Sequence, residues 1–204
     1  QGDMLSLPFN SSTPVLWVNR DAMTAAGVDP DTDLSTWQNV GAVLDQLKAG
    51  GEECPLVTAW QSWIHLENLS AYHDVPFASK DNGFSGVDTE LMVNGDVQIA
   101  HLTAMGEWAK DGKFIYTGRR NEGGANFRAG DCALFTESSA GYAGIKAEAQ
   151  FDFDVRPLPY WDGVAGAPQN TIIGGASLWV MSGHDAEEYK GVGEFLAYLS
   201  STDV

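Results

Sequence analysis

Cysteine, basic residues, long apolar runs and catalytic signatures are all scarce or absent in this chain, and each shortage removes a class of function. Cys54 and Cys132 are the only cysteines. They are too few and too far apart for a zinc site, which needs paired short spacings. Lys and Arg total 11 against 28 Asp and Glu, a formal net charge of −17, and the longest basic cluster is Arg119-Arg120. Affinity for nucleic acid comes from neutralising phosphates with Lys and Arg, so nucleic acid and anionic membranes are excluded as partners. Acidity of this kind reports on solubility and not on fold. No run reaches the roughly 18 apolar residues that span a bilayer. Gln1-Gly2-Asp3 is neither an initiator Met nor an export signal, and Phe195–Val204 stops inside an apolar-periodic segment with no capping Gly. Both ends therefore read as those of a fragment or a processed piece.

Enzyme chemistry finds no foothold. There is no HExxH, no Walker A loop and no strand-anchored GxGxxG, and Ser138 lacks the Gly-x-Ser-x-Gly elbow. His65 and Glu67 stand two apart on an expected helix, so they face different ways. Carboxylates are so abundant that any close pair is expected by chance, which empties the glycosidase-dyad argument. No catalytic residue, metal ligand or cofactor is assigned, and the chain reads as a ligand-binding protein and not an enzyme.

What is present is a foldable α/β pattern. Apolar residues make up 44% and charged residues 19%, the balance of a globular chain. Val15–Val18 is a short apolar run suited to a buried strand. A short helix from Asp21 to Ala26 ends at Gly27. Thr36 caps a helix on which Val40, Val43, Leu44 and Leu47 form one face, ending at Gly50-Gly51. Pro55–Ala59 reads as a strand running into a helix that reaches about Tyr72. A polar loop from Ser79 to Asp88 precedes a helix from about Asp96 to Lys110, with Ile99, Leu102 and Met105 expected inward. Phe127–Gly130 closes a short helix, Ala133–Thr136 is a strand, and Ser138-Ser139 cap a helix to about Ala149. Strands near 152–158 and 172–181 follow, then a helix carrying Tyr189, Val192, Phe195, Leu196 and Leu199. Strands alternating with helices make the class α/β, a mixed sheet flanked by helices. The Gly/Pro/Ala-rich stretch Tyr160–Pro168 is the candidate boundary between lobes.

Trp60 and Trp63 stand three apart at a strand-to-helix junction, where a helical turn would bring both rings to one side. Flat amphipathic rings there suit stacking on a sugar or glycerol, and equally suit plain core packing. Asn10–Pro14 and Glu137-Ser138-Ser139 are hydroxyl-rich corners, the second at a helix start where free amides favour an anion or merely receive a cap. Ile172–Ser177 carries two glycines that either admit a ligand close to the backbone or mark a bulge. Cys54 and Cys132 each open an expected strand. They would form a disulfide if those strands are neighbours in an oxidising compartment, and would otherwise be two buried thiols.

Leu7–Pro14, Trp60-Gln-x-Trp63 with Leu66-Glu-Asn68, Pro76–Lys80 and Pro168–Val180 resemble a known family. They are similar to the glycerol-phosphate receptors of the extracellular solute-binding proteins, maltose-binding-protein-like, that serve ABC importers. Cys54 and Cys132 fall at matching positions. The resemblance implies a two-lobed receptor of the periplasmic-binding-protein type II fold, located in the periplasm, that presents its ligand to an ABC permease. The implied ligand is sn-glycerol 3-phosphate or a glycerophosphodiester such as glycerophosphocholine. Ser12, Ser138 and the backbone of Gly175 would contact it, and Trp60 and Trp63 would pack on the glycerol. Residues 1–168 would form the C-terminal-type lobe and 169–204 a return to the other lobe. Further family contacts, among them a late arginine, would lie outside these residues. A receptor for a neutral oligosaccharide and a fragment of a carbohydrate-active enzyme are the competing readings.

Overall fold

The computed structural model describes residues 6–202. The terminal segments Gln1-Gly2-Asp3 and Asp203-Val204 lie outside them. The chain divides into two compact units, Thr13–Ile173 and a smaller one that joins the first residues, up to Ser12, to Gly174 onward. The Tyr160–Pro168 stretch, expected at a boundary, lies inside the larger unit, and the division falls at Ser12/Thr13 and Ile173/Gly174.

In the larger unit, β2 (Pro14–Asn19), β3 (Leu56–Thr58), β4 (Phe114–Ile115), β5 (Leu134–Ser138) and β6 (Phe153–Pro157) form one mixed sheet in the order β4-β3-β5-β2-β6. β3 runs parallel to β4 and β5, while β2 is antiparallel to β5 and β6. Strand side chains alternate between faces, and the core divides accordingly. Leu16, Val18, Leu56 and Leu134 pack with Trp37, Val40, Val43, Leu44 and Leu47 of α2 (Trp37–Ala49). Trp17, Val57 and Phe135 pack on the opposite face, with Phe127 of α6 (Gly123–Ala129) and Ile145 of α7 (Tyr142–Glu148). Every residue of β5 is buried, as a central strand covered on both faces requires.

The helix boundaries follow local chemistry. α1 (Arg20–Ala25) is capped by the Asn19 side chain, and α2 by Thr36, whose hydroxyl accepts from Asn39 N at 3.2 Å. α2 ends at Gly50, where a Cβ would lie 2.2 Å from the Ala26 carbonyl oxygen, so the two helix ends meet only over a glycine. The helix expected to reach Tyr72 is π-helical from Trp63–Asn68 and closes as α3 (Leu69–Tyr72). The polar loop after it opens with α4 (Ser79–Asn82), a left-handed turn with positive φ at Lys80 and Asp81. Among the described residues no helix is long and apolar enough to cross a membrane.

α5 (Asp96–Lys110) corrects the sequence reading. Ile99 and Leu102, expected inward, are 54% and 46% exposed. The buried positions are Gln98, His101 and Met105. This helix faces inward with polar side chains because partners await them: Gln98 Nε2 donates to Ser70 Oγ at 3.0 Å, and His101 bonds His65 and Trp161. Buried polar groups are tolerated when paired in this way.

In the smaller unit, β1 (Leu7–Ser12) pairs antiparallel with β7 (Gly174–Leu178), with an irregularity between Pro8 and Asn10. The strand expected over 172–181 is thus shorter at both ends. α8 (Ala186–Leu199) starts with a reciprocal capping box between Asp185 and Glu188. None of its residues is buried, and Val192, Phe195 and Tyr198 stand exposed.

Candidate functional site

β3 and β5 are parallel neighbours, in register at Leu56–Leu134 and Thr58–Thr136. Their amino-terminal ends are joined by a disulfide between Cys54 and Cys132. Their carboxyl ends deliver Ala59-Trp60 and Glu137-Ser138 side by side, the end of a parallel pair at which α/β proteins place their ligands.

Trp60 sits at φ 50°, a left-handed conformation that is uncommon for a bulky residue. Three bonds hold it there. Its amide donates to the Arg120 carbonyl at 2.9 Å, its carbonyl accepts from Ile64 N at 3.0 Å, and its indole Nε1 donates to Glu137 Oε1 at 2.8 Å. The residue remains 36% exposed. Trp63, by contrast, lies inside the π-helical segment, partly buried against the core face of α2. The i, i+3 argument for a shared helical face does not describe the pair, because Trp60 stands outside the helix.

Glu137 is the residue that the sequence reading passed over, naming it only as the start of a Ser-Ser corner. It is 2% exposed. Its Oε1 also accepts from Ser138 N at 2.9 Å, so one carboxylate ties the indole to the strand end. Burial raises its pKa above the ordinary glutamate value, opposed by the hydrogen bonds from Ser138 and Trp60. Ser138 caps the short 3-10 turn Ser139–Gly141, its Oγ accepting from Ala140 N at 3.1 Å. A hydroxyl that accepts a cap bond keeps its own proton for a further acceptor. Ser139 is committed elsewhere: its Oγ accepts from Thr13 N and its amide donates to Thr13 O.

Beside Trp60 opens a cleft of about 540 Å³ lined by Gln61, Ser62, Arg119, Arg120 and Glu122. Ser12 and Gly175, the remaining expected contacts, lie on the paired strands of the smaller unit. Ser12 is opposite Gly174 and Gly175 opposite Ser11. Gly175 has φ 125°, and a Cβ there would fall 2.2 Å from the Asn10 carbonyl oxygen, so only glycine fits the pairing.

A buried histidine network bonds to Thr58 and Thr136 on the same two strands. Trp161 Nε1 donates to His101 Nδ1 at 3.0 Å. This leaves the proton on His101 Nε2 to face His65 Nδ1 at 3.0 Å. His65 Nε2 then donates toward Thr58 Oγ1 at 3.0 Å and Thr136 Oγ1 at 3.2 Å. His73 accepts from Trp161 N at 2.8 Å and donates to Leu69 O at 2.7 Å. Desolvation holds His65 near a pKa of about 4 and His101 well below the ordinary value. His65 thereby ties the π-helical segment that bears Trp63 to Thr58 of β3 and Thr136 of β5, and His101 and His73 link it and α3 to Trp161.

The larger unit thus sets an exposed tryptophan beside polar strand ends at the carboxyl edge of its parallel strands. A family model described as bacterial extracellular solute-binding protein matches residues 1–204, and the chain belongs to that family. It is 48% identical, over 203 residues, to the sn-glycerol-3-phosphate-binding periplasmic protein UgpB of Yersinia pseudotuberculosis serotype I (strain IP32953). That alignment covers 100% of the chain and 46% of the relative. Identity to the protein of the same name from Escherichia coli (strain K12) is 48% over 202 residues, covering 99% of the chain and 46% of the relative. The chain thus spans about half the length of the curated relatives it matches. Among solved structures, UgpB from Mycobacterium tuberculosis in complex with glycerophosphocholine aligns with a TM-score of 0.76 at 22% identity, covering 98% of this chain and 50% of that one. The cyclic alpha-maltosyl-1,6-maltose binding protein from Arthrobacter globiformis aligns at 0.73 with 20% identity, covering 100% and 50%. At these identities the structural likeness carries the fold.

Proposed function

We propose that this chain is part of a receptor that captures sn-glycerol 3-phosphate or its diesters outside the cytoplasm and presents them to an ABC permease in the membrane. The observation that carries the reading is the Trp60 ring, left open to solvent while its backbone and indole nitrogen are bonded to Arg120 and Glu137. Its relatives at 48% identity bear the name of glycerol-phosphate receptors. A preset aromatic face beside a polar strand end suits the CH surface and hydroxyls of a glycerol moiety, at little ordering cost. Ser138, with a hydroxyl proton to donate, is assigned to the ligand's oxygens. Ser12 and the Gly175 backbone amide are assigned as further contacts, each open to test by its own substitution. Trp63, partly buried at the start of the helix, is assigned to pack on the glycerol beside Trp60. The disulfide favours an oxidising, extracytoplasmic location. The proposed role is binding, without turnover of the ligand.

Calorimetric titration with sn-glycerol 3-phosphate, glycerophosphocholine and maltose tests this directly. Heat from the first two and none from maltose is the expected result. Saturable binding of maltose that glycerol phosphate fails to displace would overturn it in favour of a sugar receptor.

A further inference from the structure

We propose that the larger unit carries a second small-molecule site, a cavity between Tyr72 and Tyr160 that takes a primary alkylammonium; it stands independently of the glycerol-phosphate reading. The cavity measures about 390 Å³, and Leu34, Tyr72, Leu158 and Tyr160 line it together with Asp33 and Arg156. It shares no lining residue with the cleft beside Trp60. Tyr72 is only 8% exposed, yet its hydroxyl has no hydrogen-bond partner among the described residues. The unpartnered side-chain atoms sealed inside the protein are Trp17 Nε1, Trp37 Nε1, Asn68 Nδ2 and Thr117 Oγ1. The Tyr72 hydroxyl is not one of them, so it belongs to the small part of the residue that reaches the cavity. Buried hydroxyls are ordinarily paired, and one left open to a cavity calls for a ligand atom.

Both phenols are held through their backbones. The Tyr72 carbonyl accepts from Gln169 N at 2.8 Å, while Tyr160 N donates to Ser35 O at 3.1 Å and Tyr160 O accepts from Trp37 N at 2.9 Å. The two rings meet edge to face with centroids 6.5 Å apart. Burial, and then the neighbouring Tyr160, push the Tyr72 phenol above its ordinary pKa, so it stays neutral and its oxygen accepts as well as donates. The charges on the wall set the sign of the ligand. Arg156 is engaged: its Nε donates to Asp154 at 2.9 Å and its Nη groups donate to the carbonyls of Thr32 and Pro30. Asp31 also lines the cavity and pairs with Arg20 at 2.8 Å. Asp33 has no ion-pair partner among the described residues. Ser35 N and Asn39 Nδ2 donate to its two oxygens at 2.9 and 2.8 Å, and the bonds from Ser35 hold its pKa below the ordinary carboxylate value. Two carboxylates against one engaged guanidinium repel an anion and favour a cation. An ammonium offers N–H donors to the phenol oxygens and to Asp33, and its charge suits the aromatic faces. Its alkyl chain would lie against Leu34 and Leu158.

The test follows backbone amide chemical shifts of the full chain during titration with n-butylammonium chloride, with sodium chloride at the same ionic strength and 1-butanol as references. n-Butylammonium is expected to shift the amides of residues 31–35, 72, 158 and 160 saturably. 1-Butanol should bind about fivefold more weakly or worse, the contribution of a charge beside a carboxylate and aromatic rings. Tyr72→Phe keeps the ring and removes the hydroxyl, and should raise the dissociation constant for n-butylammonium about threefold or more. Asp33→Asn should raise it by about the same factor, the scale of one ion pair near the surface. Absence of saturable shifts in those residues beyond the sodium chloride reference overturns the proposal. Equal affinity for 1-butanol overturns it in favour of a site for neutral solutes, and wild-type affinity in Tyr72→Phe overturns it as well. If Tyr72→Phe loses its native circular dichroism, Asp33→Asn and the butanol comparison decide.

Discussion

Trp60 and Trp63 look interchangeable in the sequence, and the structure gives them different work. Trp60 is exposed and hydrogen-bonded to Glu137, whereas Trp63 packs on the core. Trp60→Ala is expected to weaken glycerol phosphate binding by roughly 1 to 3 kcal/mol, the scale of burying an aromatic ring, with little change in melting temperature. Trp63→Ala should instead lower stability by about 2 kcal/mol or more through the cavity it leaves. Calorimetry and thermal melts on the two variants separate these outcomes. The spacing located both tryptophans at the strand end. It could not show a tryptophan at φ 50°, because that conformation is imposed by the distant Arg120 carbonyl and the Glu137 carboxylate. Glu137 itself escaped notice for a related reason: in so acidic a chain, a buried carboxylate looks like any other.

At the scale of elements, apolar periodicity found α2 nearly to the residue, set the limits of α5 and placed Met105 inward, yet put Ile99 and Leu102 where Gln98 and His101 are buried. Counting apolar side chains cannot reveal a polar face whose partners come from the π-helical segment and from Trp161. That face makes the fold sensitive to acid. Protonating His101 would place a donor against the Trp161 indole N–H, and none of the hydrogen-bond partners of His65, His73 or His101 is a carboxylate. The folded-state pKa values lie below the ordinary histidine value of 6.5, with His65 at about 4. The unfolded chain therefore binds more protons between those values, and stability falls as pH drops from 6.5 toward 4. Glu137, with its pKa raised, works in the opposite sense, losing stability as pH rises through its own folded value. The histidines outnumber it and are expected to dominate. Melting temperatures measured from pH 7 to 4 should decline across that window, and His65 alone accounts for on the order of 3 kcal/mol. A flat profile would show that the rings are not held neutral.

At the scale of the whole molecule, the buried apolar side chains among the described residues lie between Pro14 and Pro159, inside the larger unit. A chain cut to residues 13–173 is accordingly expected to keep a cooperative melt and its tryptophan-rich core, read by near-ultraviolet circular dichroism. Loss of the transition would show that β1, β7 or α8 is needed to fold it. The division into α/β elements was legible because each strand and helix is announced by local caps, glycines and periodicity. The pairing of Leu7–Ser12 with Gly174–Leu178 was not, because a pairing between distant segments of a chain leaves no local trace.

The disulfide and the proposed ligand face stand at opposite ends of the same two strands. β3 and β5 are the tines of a fork clamped at the handle by Cys54–Cys132, with Trp60 and Glu137-Ser138 at the tips. A clamped fork keeps its tips at a set spacing, so the gauge of the ligand face is fixed before any ligand arrives. Reducing the bond, which spans a sequence separation of 78, is expected to cost about 2 to 5 kcal/mol of stability, measurable by denaturant titration with and without reductant. The finer consequence is one of calibration: the reduced chain would grip its ligand less selectively even where it remains folded.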